Sequence, residues 1–155
     1  MANTKQKNRN TSFSNKQAFF HYAIDNTYVA GVALLGTEVK SIRDGKVSFN
    51  DSYCILDKGE LWLRGVYIAE YNFGTTNNHI AVHDRKLLLH KKELKKIESL
   101  TKEKGITIVP LKIFINDRSF VKVEIGIGKG KKLYDKRETI KQRDNDKELK
   151  RYLKN

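Results

Sequence analysis

Residues 121–144 read VKVEIGIGKGKKLYDKRETIKQRD. Val121, Val123, Ile125 and Ile127 fall on one face and Lys122, Glu124 and Gly126 on the other. A period of two is the signature of a half-buried strand. After Ile127 the apolar residues nearly stop, glycines and lysines take over, and the chain still runs on to Asn155. The stretch therefore predicts a β protein whose last strand is followed by a basic tail with little to bury.

The rest of the sequence is read outward from that strand. Ile106–Ile115 and Ser119–Gly128 are predicted as two strands joined at Asn116-Asp117-Arg118, a turn-forming set. Lys91–Lys104 has Leu94, Ile97, Leu100 and Thr101 at helical spacing and ends at Gly105. Asp51–Asp57 and Glu60–Ile68 read as a hairpin across Lys58-Gly59. Tyr22–Leu35 reads as strand with a bend at Asp25-Asn26, and GTEVKSIRDG (36–45) as a short helix. Thr37 is a cap for that helix, Glu38 sits where the helix dipole favours an acid, and Val39 and Ile42 make its apolar stripe. Residues 72–84 read as a surface loop, and residues 1–14 as a flexible basic N-terminus. Many short strands with one late helix imply a mainly β fold, a small antiparallel barrel over residues 15–128, followed by a tail over 129–155.

The charge distribution points to a partner. The formal net charge is +13 and the pI near 9.8, with 39% apolar residues. Lys5, Lys7, Arg9 and Lys16 stand in the first twenty residues with no acid, and residues 129–155 hold eleven Lys and Arg against five acids. Basic ends on a charge-balanced body suit a polyanion, nucleic acid first. A membrane surface is disfavoured, because the tail lacks large apolar anchors. Cys54 is the only cysteine, so no intrachain disulfide forms, and the start of the chain is not a signal peptide; a soluble, cytoplasmic protein is expected.

Candidate chemistry is sparse. His79, His83 and Asp84 invite a metal reading, but two ligands four apart need a helix and this stretch reads as loop. No nucleophile, base and orienter assemble, so neither an enzyme nor a cofactor is expected. His21 and His90 fit an RNA face or a helix cap. The run Gly126–Lys131 fails the P-loop spacing and reads either as a flexible strand exit or as a close approach to phosphate through Lys129, Lys131 and Lys132. In RKLLLH the three leucines cannot all face a core. Either the segment is buried on both sides, or one leucine lies exposed beside Arg85 and Lys86, where it packs under a base or sugar. Trp62 and Phe49 read as core.

Six motifs then stand in order: GTEVKS with Arg-x-Gly-Lys (36–46), DSY (51–53), GE-LWL (59–63), RKLLLHKKEL (85–94), Gly-x-Thr-x-Val-Pro-Leu (105–111) and KVEIG-x-GKGKKLYDKR (122–137). Together they resemble the SmpB family of SsrA-binding proteins, over about residues 15–150. The resemblance implies an OB-like barrel with two or three short helices and no catalytic activity. It implies a protein, monomeric when free, that binds the tRNA-like domain of tmRNA and delivers it to stalled ribosomes for trans-translation. By the same resemblance Glu38, Lys40, Ser41, Arg85, Lys86, Leu88 and Lys122, with Lys129, Lys131 and Lys132, fall on RNA-facing motifs. Tyr134, Asp135, Lys136 and Arg137 fall on the tail motif that works in the small-subunit decoding region and empty mRNA channel. Val29 stands where the family usually has an acid, and His83 where it tends to have an arginine. The tail is expected to be disordered when free and helical on the ribosome, with Asn145 as cap and Leu149, Tyr152 and Leu153 on one face. The alternative is a general OB-type binder of structured RNA or ribosomes.

With several phosphates contacted, affinity for RNA should fall on the order of a hundredfold for a fourfold rise in salt. Filter binding across a salt series measures this, and a flat response would exclude a backbone-dominated mode.

Overall fold

In the computed structural model, which describes residues 11–74, 78–131 and 142–151, the alternation at the end of the barrel is realised in full. Val121, Val123, Ile125 and Ile127 are all buried, while Lys122 and Glu124 face outward and are half-buried. In chain order the elements are β1 (Ser12–Ser14), α1 (Lys16–His21), β2 (Tyr22–Val32), α2 (Gly36–Arg43), β3 (Val47–Ser48), β4 (Tyr53–Asp57), β5 (Glu60–Arg64), β6 (Tyr67–Ile68), β7 (Arg85–Leu88), α3 (Lys91–Thr101), β8 (Ile106–Ile115) and β9 (Val121–Gly130). Residues 142–151 add a fourth helix, α4.

The main sheet runs β1-β8-β4-β5-β7-β2-β9 and is antiparallel throughout, and β8 also pairs with β9. That last pairing closes the six strands from β8 round to β9 into a barrel, the mainly β, OB-like architecture expected. β1 lies outside the ring, on the part of the β8 edge beyond its single pairing with β4 at Cys54↔Ile108. Residues 12–14 are therefore part of the sheet and not of a flexible N-terminus, because β8 is too long for β4 to cover. β3 and β6 form a separate two-stranded ribbon.

Local signals account for most boundaries. The β4–β5 hairpin turns at Lys58 (φ 50°) and Gly59 (φ 77°), both left-handed as a two-residue primed turn requires. The bend foreseen at Asp25-Asn26 is a register shift between Ile24 and Asn26 against β9. A second shift falls between Pro110 and Lys112, where a missing N–H does least harm. There Asn15 clips α1 onto β8, its side-chain amide donating to Pro110 O at 2.8 Å and its N–H to Leu111 O at 2.7 Å. In α3, Ile97 is fully buried and Leu94 packs beside it, but Leu100 is exposed and the helix stops at Thr101. The core is one cluster that includes Ile42, Leu61, Leu63, Leu87, Val123 and Ile125, with Phe49 packed against it. Trp62, expected inside, is half-buried and lies outside that cluster.

The glycine run is not a flexible strand exit. β9 continues to Gly130, and Lys131 N–H still bonds His21 O at 2.8 Å. Gly126 and Gly128 are buried where β9 passes β2. A methyl group at Gly126 would sit 2.8 Å from Leu111 Cδ1, and one at Gly128 would sit 2.0 Å from Ala23 O. The second contact is with backbone and cannot be relieved by a rotamer change. The α4 helix also departs from expectation. Residues 142–151 are helical, so Asn145 lies inside the helix rather than at its cap. Gln142, Arg143, Lys147, Glu148, Leu149 and Lys150 all favour helix, and Asp146 precedes Lys150 by four.

Gly128→Ala should therefore destabilise the barrel by about 3 kcal/mol, lowering Tm by roughly 10 °C. Gly130→Ala, where an added methyl meets nothing within 4 Å, should melt like the wild type.

Candidate nucleic-acid interface

Strand parity decides what the barrel shows to a partner. Across β7, β2, β9 and β8 one register row runs Leu88, Gly31, Lys122, Phe114, and the next row on the same face runs Val29, Glu124, Lys112. Leu88 is 51% exposed and Val29 54%, unusual values for aliphatic residues in strands. Gly31 makes room between its neighbours. An added methyl there would lie 3.4 Å from Leu88 Cβ and 3.7 Å from Lys122 Nζ, so the ammonium rests over the glycine beside the leucine. A shallow groove of about 340 Å³ follows, lined by Val29, Gly31, Leu88, Leu89, His90 and Lys122. Lys112 Nζ stands 5.1 Å from the Phe114 ring centre on the same face. On the other side of β7 the outer row is Ile55, Trp62, Lys86, with Lys86 Nζ 3.1 Å from Glu60 Oε1.

The triplet in RKLLLH is thus resolved in favour of one exposed leucine. Arg85 and Leu87 point inward, Lys86 and Leu88 outward. Arg85 is therefore not the RNA-facing cation expected: it is 1% exposed and enclosed by acceptors. Its Nε donates to Glu38 Oε1 at 3.0 Å, Nη1 to Val66 O at 2.7 Å and Nη2 to Ala81 O at 3.0 Å. Glu38, also expected at the RNA, is fully buried, as is Ser41. The Glu38 side chain supports the surface rather than forming it, while the Ser41 hydroxyl is buried without a hydrogen-bond partner among the described residues. Glu38 closes the start of α2 by accepting the Leu35 N–H at 3.0 Å, so Leu35 and not Thr37 is the cap. The imidazole Nε2 of His83 sits against Glu38 Oε1, which makes His83 a clasp on the buried pair.

Thr37 has a different partner. Its hydroxyl lies 2.9 Å from His79 Nδ1, while His79 Nε2 lies 2.9 Å from Ile68 O and must donate to it. Both histidines of the metal reading are thus occupied in holding the 66–84 segment against α2. Among the described residues no group of three or more His, Cys, Asp or Glu could hold a metal ion. Lys40 remains exposed on α2, 5.3 Å from the Tyr71 ring centre. Lys129 belongs to β9 and pairs with Glu103 at 2.6 Å, and Lys131 is half-buried at the strand's end. Lys132, Tyr134, Asp135, Lys136 and Arg137 lie outside the described residues. His90 occupies the cap position of α3 but makes no side-chain cap bond.

The outer face also carries residues that the sequence did not single out for it: Trp62, Lys112 and Phe114. Alternation within Ile106–Ile115 was the available signal, since Lys112 and Phe114 share the parity that the inward Ile113 and Ile115 exclude.

Glu38 is the electrostatic centre of this arrangement. Burial alone pushes its carboxyl upward, but the hydrogen bonds from His83 and the Leu35 N–H, with the Arg85 charge, outweigh that and hold it below the ordinary 4.5.

Residues 12–155 match the family model described as SmpB protein. The chain is 52% identical to the SsrA-binding protein of Parabacteroides distasonis over 94% of its own length and 95% of the relative's. It is 51% identical to that of Fervidobacterium nodosum, covering 91% and 95%, and 49% identical to that of Ligilactobacillus salivarius, covering 100% and 99%. A solved chain described as "tmRNA-SmpB: a journey to the center of the bacterial ribosome" superposes with a TM-score of 0.69 at 44% identity, over 84% of this chain and 94% of the other. No helix among the described residues is long and apolar enough to cross a membrane.

Glu38→Gln keeps the shape but leaves Arg85 a buried, uncompensated cation, and should cost about 3–5 kcal/mol. Because the folded carboxyl is held low, its contribution is present above the ordinary carboxylate range and is lost as pH falls through the depressed value. The Tm gap between wild type and Glu38→Gln should therefore narrow as pH drops from neutral toward 3.

Proposed function

This chain belongs to the SmpB family, and we propose that it binds the tRNA-like domain of tmRNA and brings it to stalled ribosomes, where trans-translation tags the unfinished peptide for degradation. The observation that carries this reading is the outer row in which exposed Leu88 and the Lys122 ammonium meet over Gly31. A folded, tRNA-like RNA offers backbone and shape over most of its surface and few free bases. A face with one well-placed cation, two exposed aliphatics and flanking lysines suits such a target better than a deep pocket would. The protein acts by binding and delivery, without catalysing a step, and works in the cytoplasm with the ribosome.

Within this reading Lys40, Lys86, Leu88 and Lys122 contact RNA, while Glu38 and Arg85 hold their elements in place. Lys129, Lys131 and Lys132 lead toward the tail, whose Tyr134, Asp135, Lys136 and Arg137 serve in the decoding region. The helix over 142–151, exposed throughout, lies in the empty mRNA channel. Its cations Arg143, Lys147, Lys150 and Arg151 suit ribosomal phosphates.

Two variants test the division of labour. Lys122→Ala should weaken binding of the tRNA-like domain by about 1 kcal/mol with Tm unchanged. Exchanging Asp135 and Arg137 preserves net charge and should leave that affinity intact while abolishing tagging of stalled peptides. Equal tagging by the exchanged form would reduce the tail to a diffuse cation. Equal affinity for bulk tRNA and the tRNA-like domain would favour a general RNA binder.

A further inference from the structure

The segment after β6 carries a feature that neither the barrel core nor the outer rows use. Phe73 is 82% exposed, the most exposed large apolar side chain among the described residues. It stands edge-on to Tyr71, ring centres 5.6 Å apart at 66°, and Lys40 of α2 places its ammonium 5.3 Å from the Tyr71 ring centre. Tyr71 itself is anchored by hydrogen bonds. Tyr71 N–H donates to Asn78 Oδ1 at 3.2 Å, Asn78 Nδ2 donates to Tyr71 O at 2.9 Å, and Gly74 N–H donates to the same oxygen at 2.9 Å. A methyl group at Gly74 would fall 2.6 Å from Asn78 Nδ2 and 3.0 Å from Tyr71 O, so a larger residue there would disturb the Asn78 amide. Next to it, Asn78 Oδ1 also accepts the N–H of His79, the residue that ties this segment to Thr37 and Ile68.

Tyr71 is tied to Asn78 and Phe73 stands beside it in water, an exposed ring next to an anchored one. We propose that Tyr71 and Phe73 form a stacking platform for one unpaired nucleobase of an RNA, with Lys40 as its phosphate-side cation. Near the same end of α2, Arg43 and Lys46 are exposed, and the exposed acids Asp44 and Glu70 adjoin them, so Lys40 is the cation the platform itself holds. The edge-to-face arrangement leaves the phenyl ring open to a flat π-system, and every base presents one. The cation over Tyr71 favours a polyanion over an apolar peptide. The proposal rests on the RNA-binding reading above and adds to it a contact with a base, where the outer rows address backbone and shape.

The test uses the full chain and two probes. The first is a single-stranded hexaribonucleotide carrying 2-aminopurine, whose fluorescence is quenched on stacking; the second is the tRNA-like domain of tmRNA. Wild type and Phe73→Trp should quench the first probe, and Phe73→Leu, which keeps apolar bulk without a π-face, should not. For the second probe Phe73→Leu should bind roughly 5- to 100-fold more weakly than wild type, with Phe73→Trp restoring affinity. Quenching and affinity unchanged in Phe73→Leu would overturn the platform while leaving the family reading intact. Phe73-dependent quenching without any binding of the tRNA-like domain would support the platform and overturn that reading. Failure of both probes with wild type would overturn both.

Discussion

The ion pair between Glu38 and Arg85 fixes the geometry on which the exposed surface depends. Both side chains are out of water, and each is satisfied by more than its partner: Arg85 by two carbonyls, Glu38 by a backbone N–H and an imidazole. Two buried charges gain little over an apolar pair of the same volume, because desolvation offsets most of the attraction. What the pair supplies is specificity. It joins the first turn of α2 to the first residue of β7 and to the carbonyls of Val66 and Ala81, so α2, the chain at Val66 and the stretch 81–85 hold one relative position. With Arg85 committed inward, strand parity sends Lys86 and Leu88 outward, and α2 presents Lys40 beside the 66–84 segment.

The magnitudes also separate two kinds of cation on this protein. Arg64 with Asp84, Lys86 with Glu60 and Lys129 with Glu103 are surface pairs whose side chains are 40% or more exposed. Such pairs contribute at most about 1 kcal/mol and are screened by salt. An RNA phosphate can replace the carboxylate at little cost, so these lysines and arginine are available to a polyanion even though each has a partner in the free protein. Arg85 is not, since removing its partner strands a charge in the core.

Much of the barrel was legible in the sequence because a period of two leaves few choices. The alternation at Val121–Ile127, the Lys58-Gly59 turn and the span Ile106–Ile115 all reappear as read. The misreadings share a cause: each involves a residue whose partner is distant in sequence. Arg85 looked like a surface cation because arginines are seldom buried, and only the acid 47 residues earlier explains it. Gly126 and Gly128 looked like flexibility, but their contacts are with Ile24 and Ala23 on β2 and with Leu111 on β8. Thr37 looked like a cap until His79 claimed its hydroxyl. Ser12–Ser14 looked disordered because a three-residue strand has no periodicity to detect, and it exists only because β8 offers an uncovered edge. Local pattern fixes an element's type; the identity of what lies beneath or beside it comes from closure of the barrel.

Closure also answers why the strand at 121–130 does not end the chain. Lys122 at its start lies in the row with Gly31 and Leu88, while Gly130 at its end pairs with Tyr22, next to α1. At about 3.3 Å per residue the two ends are roughly 26 Å apart. Lys131 leaves the barrel bonded to His21, and Arg143 of the last helix lies 5.3 Å from the Phe20 ring centre on the same α1. One strand thus places the candidate RNA face at one end and the tail's point of departure at the other. A rigid spacer of that kind lets a single small barrel hold an RNA while a basic tail reaches a second surface, and neither contact has to make room for the other. The glycines that looked like looseness are what allow β9 to run straight past β2 for that whole distance.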